Sequence, residues 1–137
     1  MSTLTLYTYA NCDTCRRAVK WLNAHGIAFD EKPIRETPPS AAELRTMLQR
    51  LGGRVALRKL FNTSGVEYRK LKVGELLPTL SDAEALSLLA GNGSLVKRPF
   101  VIGSGDATGA TGALAGVGLV GFDEPTWSGV FAGCVRK

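Results

Sequence analysis

Cys12 and Cys15 stand three positions apart, and their surroundings suit thiol chemistry. The run Thr3-Leu4-Thr5-Leu6-Tyr7-Thr8 is β-prone and ends at the turn Tyr9-Ala10-Asn11. From Asp13 to Ala24, apolar residues recur at Cys15, Ala18, Val19 and Leu22, the spacing of a helix with one buried stripe. Cys12 therefore falls where strand gives way to helix, and the free N–H groups and positive dipole end of that helix face its sulfur. A thiol normally near pKa 8.5 falls to roughly 3.5–7.5 in such surroundings, so Cys12 is the expected nucleophile. Cys15 lies one turn deeper on the same face, within reach of a disulfide once Cys12 is oxidised, and is the expected resolving thiol. Arg16 and Arg17 follow at once. Arg16 is the favoured source of positive charge near the sulfur, whereas Arg17 can simply point to water. An inert pair of thiols in a turn is the alternative, and the strand-to-helix position weighs against it.

The remaining candidate ligands and nucleophiles are few. The sequence has three cysteines, an odd number too small for a disulfide framework, and one histidine. A zinc site would need all four, but a helix rising about 1.5 Å per residue separates His25 from Cys15 by roughly 15 Å. No metal is expected. His25 precedes Gly26 and suits the last turn of the first helix. Cys134 is either a further thiol partner or a plain surface residue.

The elements that must position the cysteine pair can be read along the chain. Gly26 ends the first helix, and Ile27-Ala28-Phe29 gives a brief apolar run read as the second strand. With a helix between them, these two strands are expected to be parallel and joined right-handedly. Pro33 to Pro39 connects to Ser40, an N-cap with Glu43 at N3, and Leu44, Met47, Leu48 and Leu51 form the stripe of a second helix stopped by Gly52-Gly53. Val55 to Leu71 reads as two short helices broken at Gly65, and Ser81 with Glu84 opens another helix. Pro99-Phe100-Val101-Ile102 and Gly118-Leu119-Val120-Gly121-Phe122 read as a hairpin with a long connection. The Gly- and Ala-rich tract 103–116 is too poor in large apolar residues to pack and is expected to be mobile. Trp127, Val130 and Phe131 form a last short helix after Pro125.

These elements predict one α/β domain over residues 1–137, a thioredoxin-like fold with a mixed four-stranded sheet, flanking helices and a helical block between the strands. Arg98-Pro99 opens the strand that meets the cysteine loop in such a sheet. It can hold a cis peptide and present Arg98 to the sulfur, or be an ordinary edge-strand proline.

At 137 residues, with 45% hydrophobic and 21% charged residues, the chain can bury one core without cross-links. No apolar run approaches the roughly 20 residues that span a bilayer, and the N-terminus lacks the basic and apolar regions of a secretory signal. A cytoplasmic protein with no membrane partner is expected. The net charge of +5 is concentrated in residues 31–72, which hold ten Lys or Arg against four Glu. This face is either a solvated basic surface or an attractor of anionic small molecules or an acidic protein. Few aromatics interleave with it and no nucleic-acid motif is recognisable, so direct nucleic-acid binding is not expected.

Several segments together resemble the arsenate reductase (ArsC)/Spx family: Leu6-Tyr7-Thr8 leading to Cys12-Asp13-Thr14-Cys15-Arg16-Arg17-Ala18, Glu36-Thr37-Pro38-Pro39, Leu60-Phe61-Asn62, Tyr68-Arg69-Lys70-Leu71, Leu95-Val96-Lys97-Arg98-Pro99 and Val120-Gly121-Phe122-Asp123-Glu124. The resemblance implies a thioredoxin-like core with an inserted helical subdomain, about residues 40–95. It implies that Cys12 is the reactive cysteine and that Arg98 is the arginine before a cis-proline, Pro99. Two further arginines that help hold the oxyanion in true arsenate reductases are missing. One matching position is Asn62 and the other falls in Val120-Gly121-Phe122. Asn62 and the Gly-Phe-Asp-Glu segment look like the YffB-like branch, associated with glutathione-dependent thiol reduction. Cys15 looks like the Spx/MgsR-like branch, where the C-x-x-C is a redox switch on a regulator that binds RNA polymerase.

The leading expectation is a thiol-disulfide oxidoreductase with Cys12, Cys15 and Arg98 as catalytic residues, and Arg16, Asn62 and Pro99 contacting the substrate. It would bind no resident cofactor, act on a small thiol or oxidised substrate, and use glutathione as candidate co-substrate or glutaredoxin as partner. A redox-sensing regulator docking on RNA polymerase is the alternative, and arsenate reduction stands third.

Overall fold

A computed structural model describes residues 3–10, 12–104 and 117–131. The elements that carry the cysteine pair are β1 (Thr3–Thr8), α1 (Asp13–Ala24), β2 (Asp30–Pro33), β3 (Phe100–Ser104) and β4 (Gly118–Val120). The strands form one mixed sheet in the order β2-β1-β3-β4. β3 runs antiparallel to β1 with Leu6 opposite Val101, and antiparallel to β4 with Val101 opposite Leu119. The central strands are covered on both faces, which explains why Leu6, Tyr7 and Thr8 are all buried, as are Phe100, Val101 and Ile102. This is the thioredoxin-like fold of the ArsC type, with a helical subdomain inserted between β2 and β3.

The second strand lies later than the apolar pattern implies. Ile27 to Phe29 form no strand; Ile27 is buried in the core and Phe29 packs against it. The pairing segment is the following Asp-Glu-Lys-Pro, exposed at every position because β2 is the sheet edge. The hairpin tract also begins later than residue 103. Gly103 and Ser104 belong to β3, opposite Leu4 and Thr3, and Gly103 N–H donates to the Val117 carbonyl at 2.9 Å. The rest of that tract, 105–116, and Cys134 lie outside the described residues.

α1 ends as its sequence dictates. His25 is the C-cap and Gly26 takes a left-handed φ of 70°, so that Gly26 N–H reaches the Asn23 carbonyl and Ile27 N–H reaches the Leu22 carbonyl. The buried stripe Ala18, Trp21 and Leu22 packs with Leu4, Leu6, Val101 and Leu119 of the sheet. α6 (Glu124–Val130), capped by Asp123, adds Trp127, and Phe131 follows it into the same core.

Residues Pro33–Lys97 form a second compact unit. It contains α2 (Ala41–Arg50), α3 (Val66–Lys70), α4 (Val73–Leu76) and α5 (Asp82–Ala90), with a 3-10 segment over Gly53–Leu60. The segment expected as the first of two short helices is therefore a tighter coil, and Gly65 is the N-cap of α3. α2 buries Leu44, Met47 and Leu48. A bridge between Phe61 and Val96 closes the unit, and at Gly93 a side chain would strike the Ile34 carbonyl oxygen. No helix among the described residues is long and apolar enough to cross a membrane.

Candidate active site

The turn between β1 and α1 presents Cys12 at the helix N-cap. Its N–H donates to the Tyr9 carbonyl at 3.0 Å, closing the turn, and its carbonyl accepts the first helical bond, from Arg16 N–H at 3.1 Å. The backbone of Cys12 is extended, and its sulfur takes the place that a capping oxygen occupies in other helices, accepting the Cys15 N–H at 3.3 Å. Cys12 is half-buried and Cys15 is 2% exposed, and both are free thiols.

The two sulfurs are driven in opposite directions. Partial burial opposes charge on Cys12, but hydrogen bonds from the Cys15 side chain and amide, followed by the charge and hydrogen bonding of Arg98, outweigh it. The Cys12 thiol is held below its ordinary value. Burial pushes the Cys15 thiol up to about 12, reinforced by its hydrogen bond to Cys12 and by the neighbouring sulfur's charge. The two shifts favour the charged form of Cys12 and the protonated form of Cys15.

Arg98 reaches this turn from the start of β3. The Arg98-Pro99 peptide is cis. The guanidinium carbon lies 4.8 Å from the centre of the Tyr9 ring, which supports the cation beside the cysteine loop. Pro99 is buried, and its carbonyl accepts the N–H of Gly121, just beyond β4, at 2.9 Å. Arg16 is placed differently from a charge aimed at the sulfur. It donates to the Ala10 carbonyl at 2.8 Å and sits 3.6 Å from the Asp13 carboxylate, tying the turn to the first turn of α1. Arg17 is exposed at the surface, with its guanidinium carbon 5.5 Å from the centre of the Phe122 ring.

The arrangement joins a thiol of lowered pKa at a helix terminus, a buried thiol of raised pKa one turn on, and the Arg98 cation, all on the sheet unit. The ArsC family model matches residues 7–126. The chain belongs to the ArsC family. The uncharacterized protein YusI of Bacillus subtilis is 47% identical over 97 residues, covering 71% of this chain and 80% of that one. The global transcriptional regulator Spx of Streptococcus mutans is 30% identical over 99 residues, covering 72% and 69%. A crystal structure of an ArsC family related protein from Bacteroides fragilis superposes with a TM-score of 0.78 at 34% identity, covering 93% of this chain and 97% of its own. Solved relatives also include an arsenate reductase from Vibrio cholerae, so the similarities run to both the reductase and the Spx sides of the family.

Within this ArsC-family chain, Cys12, Cys15, Arg16, Arg98 and Pro99 share the sheet unit, whereas Asn62 belongs to the helical unit. There its N–H donates to the Leu95 carbonyl at 2.7 Å and its carbonyl accepts from Gly65. Tyr9 escaped the sequence reading, which treated it as a turn residue. Its carbonyl closes the Cys12 turn and its ring carries Arg98. The only sequence signal was an aromatic residue just before the cysteine loop.

Proposed function

We propose that this ArsC-family chain is a thiol-disulfide oxidoreductase whose nucleophile is Cys12. The observation that carries this reading is the Cys12 sulfur accepting the Cys15 N–H at the N-terminus of α1. In the first step the Cys12 thiolate attacks one sulfur of a disulfide substrate, forming a mixed disulfide and expelling the other half as a thiolate. Arg98 steadies the anionic sulfur before attack. Cys15 then loses its proton, attacks the Cys12 sulfur and releases the second half of the substrate as a thiolate. The substrate has gained two electrons and the Cys12–Cys15 pair has lost them. Two equivalents of an external thiol, with glutathione as the leading candidate, or a glutaredoxin, restore the pair. No resident cofactor is needed, and a cytoplasmic setting, where thiols stay reduced, suits the chemistry.

Asn62 stands where an oxyanion-binding arginine is expected for arsenate, so disulfides rank above arsenate as substrates. The decisive measurement is the pH dependence of Cys12 alkylation beside turnover of a small disulfide in a thiol-coupled assay. Alkylation with a midpoint below that of an ordinary thiol, together with turnover, is expected. If the reduced and oxidised forms instead capture different partners, RNA polymerase among them, with no turnover, the chain is a redox-sensing regulator as its Spx relatives are named.

A further inference from the structure

Tyr9 meets the cysteine turn with both its main chain and its ring. It directly follows β1, and the antiparallel register that sets Tyr7 opposite Phe100 brings Tyr9 and Arg98 to the same end of β1 and β3. Its carbonyl accepts the Cys12 N–H at 3.0 Å, and a backbone hydrogen bond joins Tyr9 to the Cys15 sulfur. The Arg98 guanidinium carbon lies over its ring, 4.8 Å from the centre. Both side chains are half-buried, so the contact is made partly out of water, where a cation over an aromatic face is attracted more strongly than at an open surface.

A ring can do here what a carboxylate could not. Arg98 belongs to neither ion pair found among the described residues, which join Arg16 with Asp13 and Arg54 with Asp82. A carboxylate beside Arg98 would hold the guanidinium but largely cancel its field at the sulfur. An aromatic ring has no net charge, so it fixes the cation and leaves the charge to act on Cys12. The other groups around the Cys12 sulfur are already engaged. Asp13 is matched by Arg16, Arg16 also donates to the Ala10 carbonyl, and Cys15 favours its protonated form.

The hold of a ring on a cation is also independent of the state of the sulfur. In a mixed disulfide, or in a Cys12–Cys15 disulfide, the Cys12 sulfur carries no charge and its attraction for Arg98 lapses. The attraction between Arg98 and the Tyr9 ring does not. We propose that Tyr9 is a positioning residue for Cys12, its ring keeping Arg98 beside the sulfur in the reduced and the oxidised protein without cancelling the charge. The proposal rests on the reading above only in taking Cys12 as the reacting thiol.

Iodoacetamide alkylation of Cys12 in the reduced full-length chain, followed against pH, reads this role without any turnover. Tyr9→Leu removes the ring, and its rate at pH 7 should fall by about threefold, less than in Arg98→Met, with the profile displaced upward. Tyr9→Phe keeps the aromatic face and should restore the wild-type profile. In the Arg98→Met background Tyr9→Leu should change nothing further, since the ring then has no cation to hold. An unmoved profile in Tyr9→Leu, failure of Tyr9→Phe to restore it, or an equal displacement with and without Arg98 would overturn the proposal. A second measurement needs no variant. In the wild-type protein the ring should move the Arg98 Hδ proton signals upfield by NMR both before and after oxidation to the Cys12–Cys15 disulfide, and loss of that shift on oxidation would overturn the proposal as well. A profile that depends on Tyr9 beside no turnover of a disulfide upholds the positioning and overturns the reductase reading. Turnover beside a profile indifferent to Tyr9 does the reverse.

Discussion

The start of α1 in the sheet unit and the starts of α2 and α5 in the helical unit solve one problem in two ways. α2 and α5 each open with Ser-x-x-Glu. The Ser40 hydroxyl accepts the Glu43 N–H at 3.1 Å while the Glu43 carboxylate accepts the Ser40 N–H at 3.0 Å, and Ser81 with Glu84 repeats the exchange at 3.1 and 2.9 Å. α1 opens with Cys-x-x-Cys. Cys12 still accepts the N–H three residues on, but its own N–H goes to Tyr9 because Cys15 has no carboxylate to reach back. In the serine boxes the cap atom is a neutral hydroxyl, and in the second box the Glu84 carboxyl is the group whose charge is favoured. At α1 the capping atom itself is the ionisable one, and its charged form is favoured. The contrast teaches that one cap geometry can favour charge on a reciprocal carboxylate or on the capping atom itself, with little change in backbone; under the proposed function the second arrangement is the reactive one.

The sharpest way to break this comparison is Cys12→Ser. Serine is a preferred N-cap, so α1 should start as well as before, with stability within about 0.5 kcal/mol of wild type by urea unfolding. Turnover should fall to background, because a hydroxyl at the same site stays protonated near neutrality. A variant that lost several kcal/mol would mean that the sulfur is holding the fold rather than serving chemistry.

Arg98→Met should produce the next largest effect. The Arg98 guanidinium favours the anionic form of Cys12, so removing it raises that thiol's pKa. At pH 7 less of the sulfur is thiolate, and the rate of alkylation by iodoacetamide should fall severalfold, with the whole pH profile displaced upward. Cys15, held protonated with a pKa of about 12, should remain unmodified across the same range. An unmoved Cys12 profile would leave the hydrogen bonds from the Cys15 side chain and amide as the source of the lowered pKa and separate the site from its cation.

What could be read from the sequence follows how local each cause is. Both serine boxes and the Cys12 position were legible because the partners lie within three residues and the spacing states the hydrogen bond. Gly26 was legible for the same reason. β2 was not, because an edge strand of Asp-Glu-Lys-Pro has no buried face to print a pattern, while the apolar signal at Ile27 and Phe29 belongs to core packing. The pattern over Gly53–Leu60 does not separate a 3-10 segment from an α-helix, since Ala56, Leu57 and Leu60 satisfy either periodicity. Arg98 reaches the cysteine turn from over eighty residues away, and only the family resemblance placed it there with a definite role. The bond from Thr8 to Glu31 spans two strands, and neither residue carries a local signature of it.

The structural side of the comparison predicts smaller effects. Ser40→Ala removes the oxygen that takes the Glu43 N–H and should cost about 1 kcal/mol by urea unfolding, with the Cys12 alkylation profile unchanged. A shift in that profile would mean that the capping box serves more than its own helix.

Ser81→Ala gives the smallest effect, and it tests where the charge sits. The Glu84 carboxyl is held below the usual carboxylate range first by the Ser81 backbone N–H and then by the Ser81 side chain. The variant keeps the first and loses the second, so an NMR titration should show the Glu84 midpoint moving up part of the way to an ordinary glutamate. Because the folded value is depressed, the stabilisation it brings is present above the unfolded carboxyl's range and fades as pH falls through the folded one. Near neutrality the carboxylate is ionised in both proteins, and the titration is where they part. Cys12 differs in this respect, since its lowered pKa moves the charge change toward neutrality. The same cap geometry is therefore read in the carboxylate range at Ser81 and below the ordinary thiol value at Cys12, and a Glu84 midpoint unaffected by Ser81→Ala would show that the reciprocal bond, and not the cap atom, sets the charge in such boxes.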